Sequence, residues 1–209
     1  MENYKWSRRI HQRPVEQHPF EPFLPEGARI LFLGSFPPQP HLWCMPFYYP
    51  NWINDFWRIM GIIHFGDKEH FCVAGEKRFD ETLIRAFCTD AGLAFYDTAT
   101  EVRRLRDNAS DAFLEVVTPT DIPALLARIP RCRHIVVTGE KAAQTLAARL
   151  GCTAPPVGGY VSIVIPGPDN RHPGLDPGSR PLRLWRMPST SRAYPLPLEK
   201  KAEAYRQLF

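Results

Sequence analysis

No stretch of this chain approaches the roughly 20 consecutive apolar residues that a bilayer-spanning helix needs. The N-terminus, MENYKWSRRIHQRP, lacks the apolar segment of a secretory signal, and its two arginines alone do not make an export signal. A cytoplasmic location is the expectation. Closely spaced cysteine pairs are also missing. Cys44, Cys72, Cys88, Cys132 and Cys152 are odd in number and include no C-x-x-C. That argues against zinc and iron–sulfur sites and for reduced, mostly buried thiols. No histidine pairs with a nucleophile in a Ser-His-Asp or Cys-His pattern. There is no internal repeat, and nothing calls for a metal or a cofactor. The net charge of +4 is mild. It permits an acidic partner such as nucleic acid without demanding one.

What is present is enough chain, 209 residues, for one domain with a single sizeable core. Residues 1–28 are rich in proline, charge and histidine and read as an arm with little regular structure, ahead of a domain over 29–209. Apolar runs predict strands at 29–33, 93–97 (LAFYD), 134–138 (HIVVT) and 182–187 (LRLWRM). Helical spacing joins Phe79, Leu83, Ile84, Phe87 and Ala91, with Gly92 as a stop. Asp121 caps a helix through Leu125, Leu126 and Ile129. Gly139 opens one that Gly151 closes, and Pro197 starts the last, as a first-turn proline does. Strands alternating with helices predict an α/β fold: a three-layer α/β/α sandwich around a mainly parallel four-stranded sheet. Residues 160–165 (YVSIVI) predict a further strand in a hairpin with 182–187. Between them, 166–181 is so rich in proline and glycine that it reads as an exposed, mobile insertion.

The segment from Ile30 to Gly61, ILFLGSFPPQPHLWCMPFYYPNWINDFWRIMG, concentrates the information. A short strand breaks into a Gly-Pro loop, and the loop feeds a helix starting near Asn54 that buries Phe56, Trp57 and Met60. Phe36, Trp43, Phe47, Tyr48, Tyr49 and Trp52 place six aromatic rings in seventeen residues. That is more flat apolar surface than a connection needs, and it predicts a pocket for something planar.

Gly34-Ser35-Phe36-Pro37-Pro38, Tyr48-Tyr49-Pro50-Asn51 and Asn54-Asp55-Phe56-Trp57-Arg58 resemble the first motif region of the uracil-DNA glycosylase superfamily. Met187-Pro188-Ser189-Thr190-Ser191-Arg192 resembles its second motif. The hypoxanthine-DNA glycosylases and the mismatch-specific uracil/thymine-DNA glycosylases are the most similar branches. The likeness runs loosely over 18–209, apart from the insertion. It implies a monofunctional enzyme of base-excision repair that hydrolyses the bond between sugar and a flipped deaminated base, hypoxanthine or uracil. The implied partner is double-stranded DNA carrying a damaged base, with no membrane, and the protein is expected to be a monomer.

Each motif residue then has an implied role beside a plain structural one. Base flipping costs a few kcal/mol, and an aromatic platform returns roughly 1–3 kcal/mol per stacked base. Tyr49 holds the platform position, with Tyr48 and Phe47 as substitutes; the alternative is a core ring. Gly34, Ser35, Phe36 and Asn51 fall among the implied base contacts, and Asn51 could instead touch phosphate. In the mismatch-specific branch an Asn two residues after the motif glycine positions the attacking water. Phe36 stands there in this chain and can neither donate nor accept. In the hypoxanthine branch an Asn just before Phe-Trp takes over, which matches Asn54; the alternative is a helix N-cap. Asp55 is a second candidate for activating water, though a carboxylate in a first helical turn is explained by the helix dipole alone. Pro188, Ser189, Thr190 and Ser191 are implied to grip the DNA backbone. Arg192 is the implied wedge, with Tyr194 or Leu196 as alternatives. Met187 replaces the histidine with which fast uracil enzymes stabilise the departing base. Thr138-Gly139-Glu140-Lys141 is a turn that can touch backbone phosphate, and Arg103, Arg104 and Arg106 read as a basic surface cluster. Two rivals remain open: a nucleoside or nucleotide N-glycosidase, and a non-catalytic protein that binds damaged DNA.

Overall fold

The computed structural model describes residues 13–106, 111–165 and 180–209. Strand β1 is Val15–Gln17, β2 Ile30–Gly34, β3 Leu93–Asp97, β4 Ala99–Arg104, β5 Leu114–Pro119, β6 His134–Thr138, β7 Gly159–Ile165 and β8 Arg180–Met187. Helix α1 is Phe56–Phe65, α2 Glu81–Ala91, α3 Ile122–Arg128, α4 Glu140–Leu150 and α5 Leu198–Tyr205. The main sheet has the order β3-β2-β6-β8-β7. Its first four strands are parallel, and β7 runs antiparallel to β8 as the expected hairpin. Ile30, Leu31, Phe32 and Leu33 are at most 5% exposed. A central strand covered on both faces by helices needs such an unbroken apolar run.

The helix ends follow their capping chemistry. The Asp80 side chain accepts from Leu83 N, and Asp121 from Ala124 N. Gly66, Gly92 and Gly151 close α1, α2 and α4 in the left-handed conformation that glycine adopts without steric cost. Leu83 is the misfit in the expected α2 pattern: it stands exposed, while Ile84 and Cys88 face the core.

Two expectations are corrected. The arm contains regular structure: β1 pairs with β4, and β4 with β5, in a second, antiparallel sheet. Phe23 bridges to Phe95 at the edge of the main sheet. The arginine cluster is also not a free basic patch. The Arg104 side chain is 5% exposed and donates to Glu16 and to Pro37 O, Arg103 pairs with Glu115, and Arg106 lies over the Phe113 ring. Of the cysteines, Cys88 and Cys132 are buried, Cys44, Cys72 and Cys152 are half-buried, and all five are free thiols. The expected insertion falls mostly on 166–179, outside the described residues; Arg180 and Pro181 belong to β8. No described helix is long and apolar enough to cross a membrane.

Histidines packed against this framework make stability depend on pH. Desolvation holds His64 and His134 below the ordinary histidine range, and the Arg183 charge adds to the effect at His134. His134 Nδ1 accepts a bond from Trp185 Nε1 at 3.0 Å, which requires a neutral ring; His64 Nε2 is buried without a partner. The unfolded chain therefore takes up these protons at higher pH than the folded one. Their contribution is complete above about pH 6.5 and is lost as pH falls through the folded values. Urea midpoints are expected to drop between about pH 6.5 and about pH 5, ahead of carboxylate titration. His64→Phe should shrink that drop, and an unchanged pH slope in the variant would contradict the assignment.

Candidate active site

All four parallel strands point their carboxyl ends into one cleft of about 1070 Å³. Gly34 ends β2, Asp97 ends β3, Thr138 ends β6 and Met187 ends β8, and each lines it. The chain moves from β2 to β3 on one side and later to β6 on the other. Such a crevice at the carboxyl edge is where open α/β sheets bind ligands. The 48–54 loop and the 187–194 segment form adjoining walls, joined where Asp55 N donates to Thr190 O.

Tyr49 carries the most telling backbone. Its φ is 52°, the one positive value at a non-glycine among the described residues. A bulky residue holds that conformation only when its surroundings over-determine it, and such sites cluster where ligands bind. Here the ring stacks on Phe56 at 3.9 Å and 3°, and the hydroxyl shares a 2.8 Å bond with Thr138 Oγ1. Burial raises the hydroxyl above the usual phenol range, so it acts as a neutral hydrogen-bonding group. Tyr48 and Phe47 are almost wholly buried in the core. The Tyr48 hydroxyl donates to Glu21 O.

Asn54 faces the same cleft as Tyr49. Its Oδ1 accepts from Phe56 N at 2.9 Å, in a turn just ahead of α1. That bond assigns the amide: the oxygen turns to the helix start, and Nδ2 is the donor it offers a ligand. Asn51 Oδ1 accepts from Ile53 N, which keeps the loop tight. Ser35 lies at the cleft floor and donates to Asp111 Oδ2.

Phe36 departs from a simple base contact. It lines the cleft but packs 8% exposed with Ala99, Val102 and Leu114, the small core under the second sheet. Asp55 does not line the cleft. Its carboxylate is buried and meets Lys201 Nζ at 2.8 Å and Arg192 Nε at 3.6 Å. A carboxylate held this way serves structure, and its N-cap position already suits the helix dipole.

The 187–194 wall is pinned rather than free. Asp55 N donates to Thr190 O, Lys201 Nζ to Ser191 O and Tyr205 OH to Pro188 O. The Ser189 and Ser191 oxygens accept from backbone amides two residues on, which turns the loop and leaves their protons available for phosphate oxygens. Arg192 has a side chain 54% exposed, and Lys141 and Arg186 also line the cleft, the latter 3.9 Å from Glu140.

Asp97 and Asp111 are acidic cleft residues that the sequence analysis did not single out. Asp97, 6% exposed, is bonded through Oδ2 to His18 Nε2 at 2.9 Å. Arg104 and Asp111 arrive from the second sheet and the segment before β5. A charge closing the apolar run LAFYD was the available signal for Asp97. Among the described residues no three His, Cys, Asp or Glu side chains gather to hold a metal ion.

No family model matches the chain, and no curated protein does. The site is carried by a three-layer α/β/α sandwich, and solved structures share that fold. One is the solution NMR structure of a Methanosarcina acetivorans protein described as a putative uracil DNA glycosylase. It is 20% identical, with a TM-score of 0.58 over 93% of this chain and 99% of that one. At this identity the likeness establishes the fold.

The buried pair gives a stability test. Lys201 and Asp55 have side chains 1% and 8% exposed. Removing one partner from such a pair costs about 3–5 kcal/mol, because the other is left buried and charged. Lys201→Met is expected to lower the melting temperature by at least about 6 °C. Lys201→Met with Asp55→Asn should recover much of that loss. A single variant that melts like the wild type would remove the pin from the account.

Proposed function

We propose that this protein is a monofunctional DNA glycosylase that hydrolyses the N-glycosidic bond of an extruded deaminated base, hypoxanthine or uracil, in duplex DNA. The observation that carries the proposal is the meeting of Tyr49 and Asn54 in one cleft that is also lined by a pinned, hydroxyl-rich loop ending in Arg192. The fold shared with a protein described as a glycosylase adds an analogy of architecture.

In this reading the flipped base lies against the face of Tyr49 that Phe56 leaves uncovered. Phe56 and the Thr138 bond fix the ring, so little entropy is lost on stacking. The transition state resembles an oxocarbenium ion, with negative charge moving onto the base. Asn54 Nδ2 is a donor placed for that charge, and a donor that strengthens as charge develops lowers the barrier. Ser189, Ser191 and Arg192 hold the flanking phosphates and fill the gap in the duplex. Met187, 1% exposed, offers no charge to the departing base, which argues for a slower enzyme than one with histidine there.

The test is an excision assay on duplexes carrying hypoxanthine, uracil, xanthine or a thymine mispair, with the free nucleosides alongside. The wild type is expected to produce alkali-labile strands from at least one duplex and to leave the nucleosides intact. Asn54→Ala should lose most of that rate. Affinity should fall with salt at a log–log slope of about −0.9 per neutralised phosphate. Nucleoside cleavage without duplex cleavage would shift the substrate to the free nucleoside. Lesion binding with no base release would make the protein a damage-recognition factor.

A further inference from the structure

We infer that Asp97 is the catalytic carboxylate that takes the proton of the attacking water, and that His18 is the residue that positions it. The inference rests on the glycosylase reading and deepens it.

A hydrolase of this kind needs an acceptor for a water proton as the nucleophile closes on C1′. The two candidates from the sequence do not provide one. Asn54 Oδ1 already accepts from Phe56 N, and a neutral amide is too weak a base to take a proton from water. The Asp55 carboxylate is held by Lys201 and lies outside the cleft. Phe36, at the loop position where mismatch-specific relatives carry asparagine, is an apolar ring in a small core.

Asp97 is placed for the task by the register of the sheet. Gly34 and Asp97 are paired neighbours at the tips of β2 and β3. A Cβ added to Gly34 would sit 2.5 Å from Asp97 Oδ1. The carboxylate therefore lies across the bare Cα of Gly34, directly beneath the loop that carries Ser35 and Phe36. Glycine here serves a close approach, since the position is not one of those with positive φ. Oδ2 is fixed by His18 Nε2, and the His18 side chain is 2% exposed. With Nε2 donating to Asp97, the other ring nitrogen accepts from Phe20 N at 3.1 Å, and the ring packs edge-on to Phe36 at 5.3 Å. One carboxylate oxygen is thus held from the arm, while no described residue bonds Oδ1 of this side chain, which lines the cleft. A base with one oxygen anchored and the other free has the arrangement of a proton acceptor oriented by a third group.

The step balances without any further reactant. The water oxygen bonds to C1′ as the C1′–N bond breaks, and that electron pair goes to the base. One water proton passes to Asp97. The base leaves as an anion held by Asn54 Nδ2 and takes a proton from solvent, and Asp97 returns its own proton to solvent. The water's second hydrogen stays on the new C1′ hydroxyl of the abasic sugar.

The experiment is single-turnover excision on the best lesion duplex, with binding measured separately on the same duplex at short times. Asp97→Asn is expected to lose at least about 100-fold in rate with affinity kept. Asp97→Ala should regain at least tenfold when formate is added, since a small carboxylate can occupy the vacated space. Gly34→Ala keeps the carboxylate but pushes it aside, and should cost on the order of 100-fold. His18→Phe keeps the ring packing and should slow the chemical step without weakening binding. An Asp97→Asn enzyme within threefold of an active wild type overturns the assignment and leaves the glycosylase reading standing. So does an Asp97→Ala enzyme that is slow but indifferent to formate. A wild type that releases no base from any duplex overturns both.

Discussion

The cleft depends on a buried ion pair that touches neither a base nor a sugar. Asp55 stands at the start of α1 and Lys201 in α5, 146 positions apart in the chain. Burying two charges is expensive, and a well-packed apolar pair would often be as stable. What the charges supply is geometry. Lys201 Nζ also donates to Ser191 O, Asp55 N donates to Thr190 O, and Tyr205 caps Pro188 O. One lysine thereby locks the start of the helix that carries Asn54 and Phe56 to the loop that carries Ser189 and Arg192. The two walls can keep a fixed separation because the same buried cation holds both.

The floor is built by a different constraint. Parallel strands ending together put Gly34, Asp97, Thr138 and Met187 on one edge, and each residue there has a distinct neighbour to hold it. Thr138 braces the Tyr49 hydroxyl, so the strained backbone of Tyr49 is secured from the sheet as well as from Phe56. Asp97 is secured from the arm through His18. The N-terminal segment is therefore part of the site: β1 docks on β4, and His18 follows it directly.

The main sheet and its helices were legible because they obey simple periodicities. Buried parallel strands read as apolar runs, and Asp80, Asp121, Gly92 and Gly151 mark helix ends by capping chemistry. The second sheet was not legible. Register shifts near Glu101 break the alternation of β4, and β1 has three residues, two of them exposed. Its partners lie some 85 positions away, so no local pattern announces it. The same blindness hid the arginines: Arg103 and Arg104 look like surface charge until Glu115, Glu16 and Pro37 come to meet them. The resemblance singled out motif segments that come together around the cleft. Which side chains face it was not legible, because Asn54 and Asp55 are adjacent in sequence and diverge only when Lys201 claims one of them.

That divergence explains how a loop with phenylalanine at position 36 can still sit beside a polar floor. The Phe36 ring is needed under the second sheet, where it covers Ala99, Val102 and Leu114. A polar side chain there would have to be buried against apolar neighbours, at a cost of about 1–3 kcal/mol if unpaired. The neighbouring strand supplies the charge instead, and Gly34 supplies the space for it. The Asp97 carboxylate reaches over Gly34 from β3, and His18, which holds it, packs edge-on to the Phe36 ring at 5.3 Å. The loop is then free to be apolar, and the second sheet gains the core that holds His18 and the arm against the cleft.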